Sequence, residues 1–177
     1  MRRLARFVGI GAALFLGPLP APSQVETSAV RSGSAVLVVP LHPWALAALK
    51  RVAAVAEEKL ARPGCQEVLR DFKDGAGRVL DDVLKEAGWK GEWLLRGMRF
   101  TDGTMSSPCA DRQTLAWTHP GERTIRLCVP QFHEAAFRDA RFTANMLIHE
   151  GLHGLGLGEN PPSSLVITAR VAQRCGY

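Results

Sequence analysis

Residues 149–159 of this 177-residue chain read His-Glu-Gly-Leu-His-Gly-Leu-Gly-Leu-Gly-Glu. Side chains four residues apart lie on one face of an α-helix, so His149 and His153 can point toward a single ion. Glu150 lies between them, where it can reach a water molecule near that ion. The glycines that follow end the helix and permit a sharp change of direction. The stretch therefore predicts a helix that carries a metal site and ends in a turn.

The third metal ligand can be inferred by excluding residue types that the chain lacks after His153. A catalytic zinc ion usually has three protein ligands and one position left for water. Beyond His153 the chain has no histidine, and Glu159 is its only acidic side chain. Glu159 is therefore the first candidate, because the glycine-rich turn can bring it back toward the histidines. The alternatives that remain open are Cys175, Tyr177, His133, Glu134, His119 and His42.

Glu150 is the candidate catalytic residue. Zinc lowers the pKa of a bound water to about 7, and a neighbouring carboxylate can take the proton and pass it to a leaving amine. Asn145, one turn before His149, is a candidate supporting partner for that histidine. Gly151 lowers helix stability by about 1 kcal/mol relative to alanine. Its presence indicates that the helix packs closely against a strand or a sheet.

The pattern His-Glu-x-x-His-x-x-Gly-x-x-Glu resembles the active-site signature of the zincin metallopeptidases, and its spacing is that of the metzincin clan. The resemblance implies that His149, His153 and Glu159 bind one zinc ion and that Glu150 is the catalytic base. It also implies a small sheet over the motif helix, with an edge strand that pairs with an extended substrate. The run at 156–164 resembles one in small secreted bacterial proteins.

Two features differ from the metzincin pattern. In that clan the third ligand is usually histidine and sometimes aspartate, and a methionine turn follows it. Here the third position is Glu159, and the four methionines all precede it.

The first 23 residues predict a signal peptide. Three arginines precede an apolar run over 7–19, and Ala21-Pro22-Ser23 offers small residues for cleavage. The apolar run is too short, and too interrupted by Pro18 and Pro20, for the roughly 20 residues of a membrane span. Residues 24–33 are expected to form a flexible lead-in, and 34–177 a single domain. We expect a secreted or periplasmic protein without a stable membrane anchor after cleavage.

The four cysteines all lie after the predicted signal peptide. An even number of cysteines in an exported protein predicts two disulfides. Three pairings are possible on paper. We expect Cys109–Cys128, which would tie a loop to a nearby strand, and Cys65–Cys175, which would tie the C-terminal segment to the body of the domain.

The fold class expected is α+β: a minimal zincin-like domain of N-terminal helices, a small sheet or hairpin, the active-site helix and a short C-terminal helix. The four tryptophans and Phe142 are expected in the core. The apolar periodicity and the turn residues predict strands at 34–40, 92–100, 114–118 and 124–129, and helices at 43–61, 65–72, 78–87, 134–153 and 165–174.

These observations favour a secreted zinc-dependent peptidase, expected to be a monomer that acts on peptide or protein substrates. Without residues 1–23, nineteen basic residues remain against seventeen acidic ones, and no long basic run is interleaved with aromatics. Nucleic-acid binding is therefore not expected. The alternatives are a non-catalytic exported protein that binds zinc or peptide, and an envelope amidase or endopeptidase acting on peptidoglycan.

Overall fold

The structure is a computed structural model that describes residues 41–177. The predicted signal peptide, the lead-in at 24–33 and the strand at 34–40 lie outside the described residues. The expected α+β class is confirmed. The helices are α1 Pro43–Leu60, α2 Pro63–Gln66, α3 Val68–Asp71, α4 Leu80–Glu86, α5 Val129–Arg138, α6 Ala140–Gly154 and α7 Ser164–Cys175, with 3-10 helices at Gly91–Gly97 and Ser107–Ala110.

A three-stranded sheet forms the smaller part of the described domain. Its strands are β1 Arg99–Asp102, β2 Ala116–Trp117 and β3 Thr124–Leu127, in the order β1-β3-β2. β1 runs parallel to β3, with Phe100 opposite Ile125, and β2 runs antiparallel to β3. The predicted hairpin is thus confirmed, and β2 lies at one edge of the sheet.

Three predicted elements differ clearly from the structure. The helix predicted at 65–72 is two short helices, α2 and α3, that meet at Glu67. The stretch predicted as a strand at 92–100 begins as the 3-10 helix Gly91–Gly97, and only its end enters β1. The helix predicted at 134–153 is two helices. α5 starts earlier because Pro130 suits the first turn of a helix. α6 starts anew at Asp139, whose carboxylate accepts hydrogen bonds from the backbone N–H groups of Arg141 and Phe142.

The hydrophobic core lies where α1 packs along α6 and the first 3-10 helix, and it is built mainly of aliphatic side chains. Leu49, Leu94 and Ile148 are completely buried there. Contrary to expectation, the four tryptophans and Phe142 do not fill the core, although the half-buried Trp89 packs against it. Trp44 is 40% and Phe142 39% exposed, and the other three tryptophans are half-buried. Aliphatic residues dominate because they fill the narrow space between the helices without leaving a polar N–H unpaired.

Both disulfides form as expected. Cys65 pairs with Cys175, and Cys109 pairs with Cys128. The first joins α2 to the end of α7, and the second joins the 3-10 helix at Ser107–Ala110 to the end of β3. Two disulfides favour an oxidising, extracellular compartment. Among the described residues, the helices are all too short or too polar to cross a membrane.

Candidate metal centre

The motif lies on the C-terminal half of α6, on a face turned toward the interior. His149 is 2%, Glu150 6% and His153 5% exposed. Gly151 allows this close packing, because a Cβ atom there would lie 3.0 Å from Cγ and Cδ2 of Leu94. The predicted close packing at Gly151 is therefore confirmed, but its partner is the 3-10 helix Gly91–Gly97 rather than a strand.

The two histidines turn the same edge toward one point. Their Nε2 atoms lie 3.0 Å apart. The Nδ1 atom of His153 lies 2.7 Å from the carbonyl oxygen of Leu157. A carbonyl oxygen only accepts hydrogen bonds, so Nδ1 of His153 donates, and Nε2 of the neutral ring presents its lone pair. The other ring is held in turn, since Nδ1 of His149 lies 3.0 Å from Oγ1 of Thr168 on α7.

Glu159 joins this pair after the chain reverses direction. α6 ends at Gly154, and Gly156 adopts a φ of 105°, a left-handed conformation that favours glycine. The redirection expected of the glycine-rich turn is thus present. One ligand atom from each of His149, His153 and Glu159 lies within 4.8 Å of the other two. Glu159 is exposed, whereas both histidines are buried.

The chemistry of this donor set fits a metal ion. Burial, together with the charge that His153 would carry, lowers the pKa of His149 to about 3. The ring therefore stays neutral near pH 7, the form that binds a metal. A carbonyl orients one ring and a hydroxyl can orient the other, the arrangement found behind metal-bound histidines. Two imidazoles and a carboxylate could hold a divalent metal ion here.

Glu150 lies beside the candidate ligands, and its carboxyl group has a raised pKa. Burial raises the pKa of Glu150 to about 8; contact with the Thr118 hydroxyl opposes this rise, and the charge of Glu159 adds to it. The Thr118 hydroxyl is buried and makes no hydrogen bond of standard geometry with the described residues. A carboxyl group with a pKa near neutrality can both accept and donate a proton.

The site opens into a cleft of about 540 Å³, lined by the motif residues and by Ala116, Trp117 and Thr118 from the region of β2. Two contacts hold the hairpin in place at this cleft. The backbone N–H of Gly121 donates to the carbonyl oxygen of His153 on α6 at 2.9 Å. Trp117 donates through Nε1 to Oγ of Ser106 at 2.8 Å, and both residues line the cleft. An edge strand and the candidate metal ligands therefore share one cleft.

The alternative third ligands lie apart from the three-residue group or are engaged elsewhere. Cys175 forms a disulfide, and Tyr177 is 77% exposed. The rings of His42 and His133 both pack against Trp44. Glu134 forms an ion pair with Arg138. His119 does line the cleft but is not a member of the three-residue group.

Two supporting residues differ from expectation. Asn145, expected to support His149, instead accepts a hydrogen bond from Nζ of Lys59 at 2.8 Å and donates to the carbonyl oxygen of Gly176 at 2.9 Å. The side chain that contacts Nδ1 of His149 is that of Thr168, which no motif in the sequence indicates. Its position in α7 follows from the cap at Ser163, but its pairing with α6 depends on how the two helices pack.

Searches against protein-family models, curated proteins and solved structures give no significant match.

Proposed function

We propose that this protein is an exported zinc-dependent peptidase in which His149, His153 and Glu159 hold the metal and Glu150 transfers protons. The single observation that carries the proposal is the convergence of the two Nε2 atoms, 3.0 Å apart, with Glu159 in the same cleft as Glu150. Imidazole and carboxylate ligands in a set of three are typical of catalytic zinc. The spacing of the motif, which resembles that of metzincins, supports the same assignment.

Zinc supplies Lewis-acid chemistry when bound, polarising a carbonyl group and making water more acidic. The protein supplies the proton transfer. Glu150 accepts a proton from the attacking water and delivers it to the nitrogen of the leaving amine. Burial raises the pKa of Glu150 and so favours its protonated form, which is the form that donates to the leaving amine. Burial of the carboxyl group beside the histidines excludes bulk water from this exchange.

The proposed substrate is an extended peptide lying along β2. The residues of β2 line the cleft, and β2 pairs only with β3 in the described sheet. An unpaired strand edge offers backbone N–H and carbonyl groups to an extended chain. Pairing of this kind is largely independent of side chains, so the walls of the cleft would provide the selectivity.

The test begins with the metal. The purified protein is expected to contain about one zinc ion per chain by elemental analysis, and Glu159→Ala is expected to lose most of it. Glu150→Gln should keep the zinc, because the amide differs little in size and Glu150 is not a ligand. The absence of bound zinc after purification without chelators, and after incubation with zinc, would contradict the proposal.

Cleavage is tested separately with a peptide library. The wild type should cleave, and Glu150→Gln should lose at least about a hundredfold in rate, the scale of general-base catalysis. Tight zinc binding with no cleavage that depends on Glu150 would identify a non-catalytic zinc-binding protein instead. Cleavage confined to isolated peptidoglycan fragments would identify the envelope hydrolase. Detection of the processed chain outside the cytoplasm would test export.

A further inference from the structure

A second surface feature lies apart from the metal site. Two adjoining clefts of about 260 and 430 Å³ share Trp89, Arg96 and Gly97. They share no residue with the cleft that contains the metal ligands. We call the combined feature the Trp89 groove, defined by Trp89, Trp93, Arg96, Gly97, Arg99 and Arg123.

The groove is built around a fixed indole ring. A Cβ atom on Gly97 would lie 1.5 Å from Cη2 of Trp89, so the ring lies directly against the glycine backbone. The guanidinium of Arg123 lies 4.2 Å from the ring centroid, a cation–π contact. Trp89 therefore holds the cationic group of Arg123 in position at the surface.

Four cationic side chains lie around the two indole rings of the groove, and few of them form ion pairs. Arg96, Arg99 and Arg123 line the groove and are exposed, and Nζ of Lys90 lies 5.2 Å from the centroid of the Trp93 ring. Among the described residues, one of these four cations has an acidic partner, since Arg96 pairs with Glu57 at 3.4 Å. Arranged guanidinium groups without carboxylate partners are suited to carboxylate or sulfate groups.

We propose that the Trp89 groove binds an acidic polysaccharide. The guanidinium groups would contact its carboxylate or sulfate groups, and the apolar surface of Trp93 would contact its sugar rings. Arg123 and the backbone of Gly97 already occupy much of the Trp89 ring. The disulfides favour a polysaccharide over a nucleic acid, because they favour an extracellular compartment, where acidic polysaccharides are common polyanions.

Binding here would hold the protein on a polymer surface without blocking catalysis. Met98 lines the groove from below, and its Sδ atom would lie 2.7 Å from a Cβ atom on Gly154 of α6. Met98 therefore lies between the groove and the motif helix, but the groove and the cleft with the metal ligands share no lining residue. We therefore expect polysaccharide binding to require neither the metal nor Glu150.

The test measures binding of the purified protein to heparin as a sulfated probe and to polygalacturonate as a carboxylated probe, with neutral dextran as the control polymer. The double variant Arg99→Gln/Arg123→Gln is expected to raise Kd at least about tenfold through the loss of two charge-assisted contacts. The matched double variant Arg112→Gln/Arg138→Gln removes the same charge from other surface positions and should change Kd less than about twofold. Glu150→Gln should bind as the wild type does.

Trp93→Ala separates a groove for sugars from a simple cation cluster. It is expected to raise Kd about threefold or more, because an indole that contacts sugar rings contributes through apolar area rather than charge. Four results would overturn the proposal: no binding to either acidic polymer, equal losses in the two double variants, no effect of Trp93→Ala, or equally tight binding of a DNA duplex. Thermal unfolding confirms that each variant is folded.

Discussion

Nδ1 of His149 lies 3.0 Å from Oγ1 of Thr168, so the first histidine of the motif is tied to the last helix of the chain. The two residues are nineteen positions apart, and α7 reaches the motif only after the chain has turned at Gly156 and again at the prolines after Asn160. The candidate metal centre is therefore supported from two sides, by the Leu157 carbonyl behind His153 and by the Thr168 hydroxyl behind His149.

Replacing Thr168 should weaken metal binding. Thr168→Val keeps the shape of the side chain but removes the hydroxyl, so the ring of His149 loses its orienting partner. Zinc affinity is expected to fall by about tenfold to a hundredfold, the usual effect of removing such a partner. Competition with a chromogenic chelator measures the change. Thr168→Ser keeps the hydroxyl and serves as the control; equal affinities in all three proteins would show that the hydroxyl does not support the site.

The two disulfides should differ in their contribution to stability. Cys65–Cys175 spans 110 positions and Cys109–Cys128 spans 19. In the chain-entropy account the longer loop stabilises by about 5 kcal/mol and the shorter by about 3 kcal/mol. Replacing each pair with alanine and measuring urea unfolding tests the order. A larger loss from the Cys109–Cys128 pair would mean that packing around the bridges outweighs loop length.

Lys59 should make stability depend on alkaline pH. The residue is 3% exposed, and its ammonium donates to Oδ1 of Asn145 and to the Gly176 carbonyl. Burial, followed by the charges of Arg141 and Arg62, lowers its pKa from 10.5 to about 8, although the charges of Asp139 and Glu58 act in the opposite direction.

The direction of this pH dependence follows from the number of protons that the folded and unfolded states bind. Between pH 8 and 10.5 the unfolded chain keeps the Lys59 proton, whereas the folded chain loses it. Because the unfolded state then binds more protons, the free energy of unfolding rises with pH across this window. Urea unfolding at several pH values should show that the free energy of unfolding of the wild type increases relative to that of Lys59→Met as the pH rises above 8. A constant difference between the two proteins would show that the folded and unfolded pKa values are alike.

Gly97 should be intolerant of a side chain. In Gly97→Ala the new methyl group would overlap the Trp89 ring, so the indole must move out of its place. Overpacking of this kind costs about 1–3 kcal/mol and should also weaken binding of heparin. Gly64→Ala is the matched control, because a Cβ atom there meets nothing within 4 Å. Equal Tm values for the two variants would show that Trp89 is not held against Gly97.

Much of the site could be read from local pattern. The helical spacing placed His149 and His153 together, and the glycines after them predicted the turn that brings Glu159 back. The hairpin before the motif helix was predicted from proline and glycine between two β-type runs. Two elements were predicted wrongly for local reasons. Asp139 caps a new helix inside a pattern that reads as one continuous helix. Gly91–Gly97 forms a 3-10 helix although its composition is typical of a strand.

The sequence by itself determined that His149, Glu150 and His153 share one helix and that the four cysteines can form two disulfides, because these depend on helical periodicity and on an even number of cysteines. It left three cysteine pairings and several third ligands open, and the structure brings Glu159 to the histidines and pairs Cys65 with Cys175 and Cys109 with Cys128. Only the tertiary structure decided which groups support the site. Thr168 reaches His149, Asn145 turns to Lys59, and the half-buried Trp89 lies beside Arg123. The reason is physical: the contacts between elements are set by how helices pack around a shared core, and an apolar pattern leaves several such packings open.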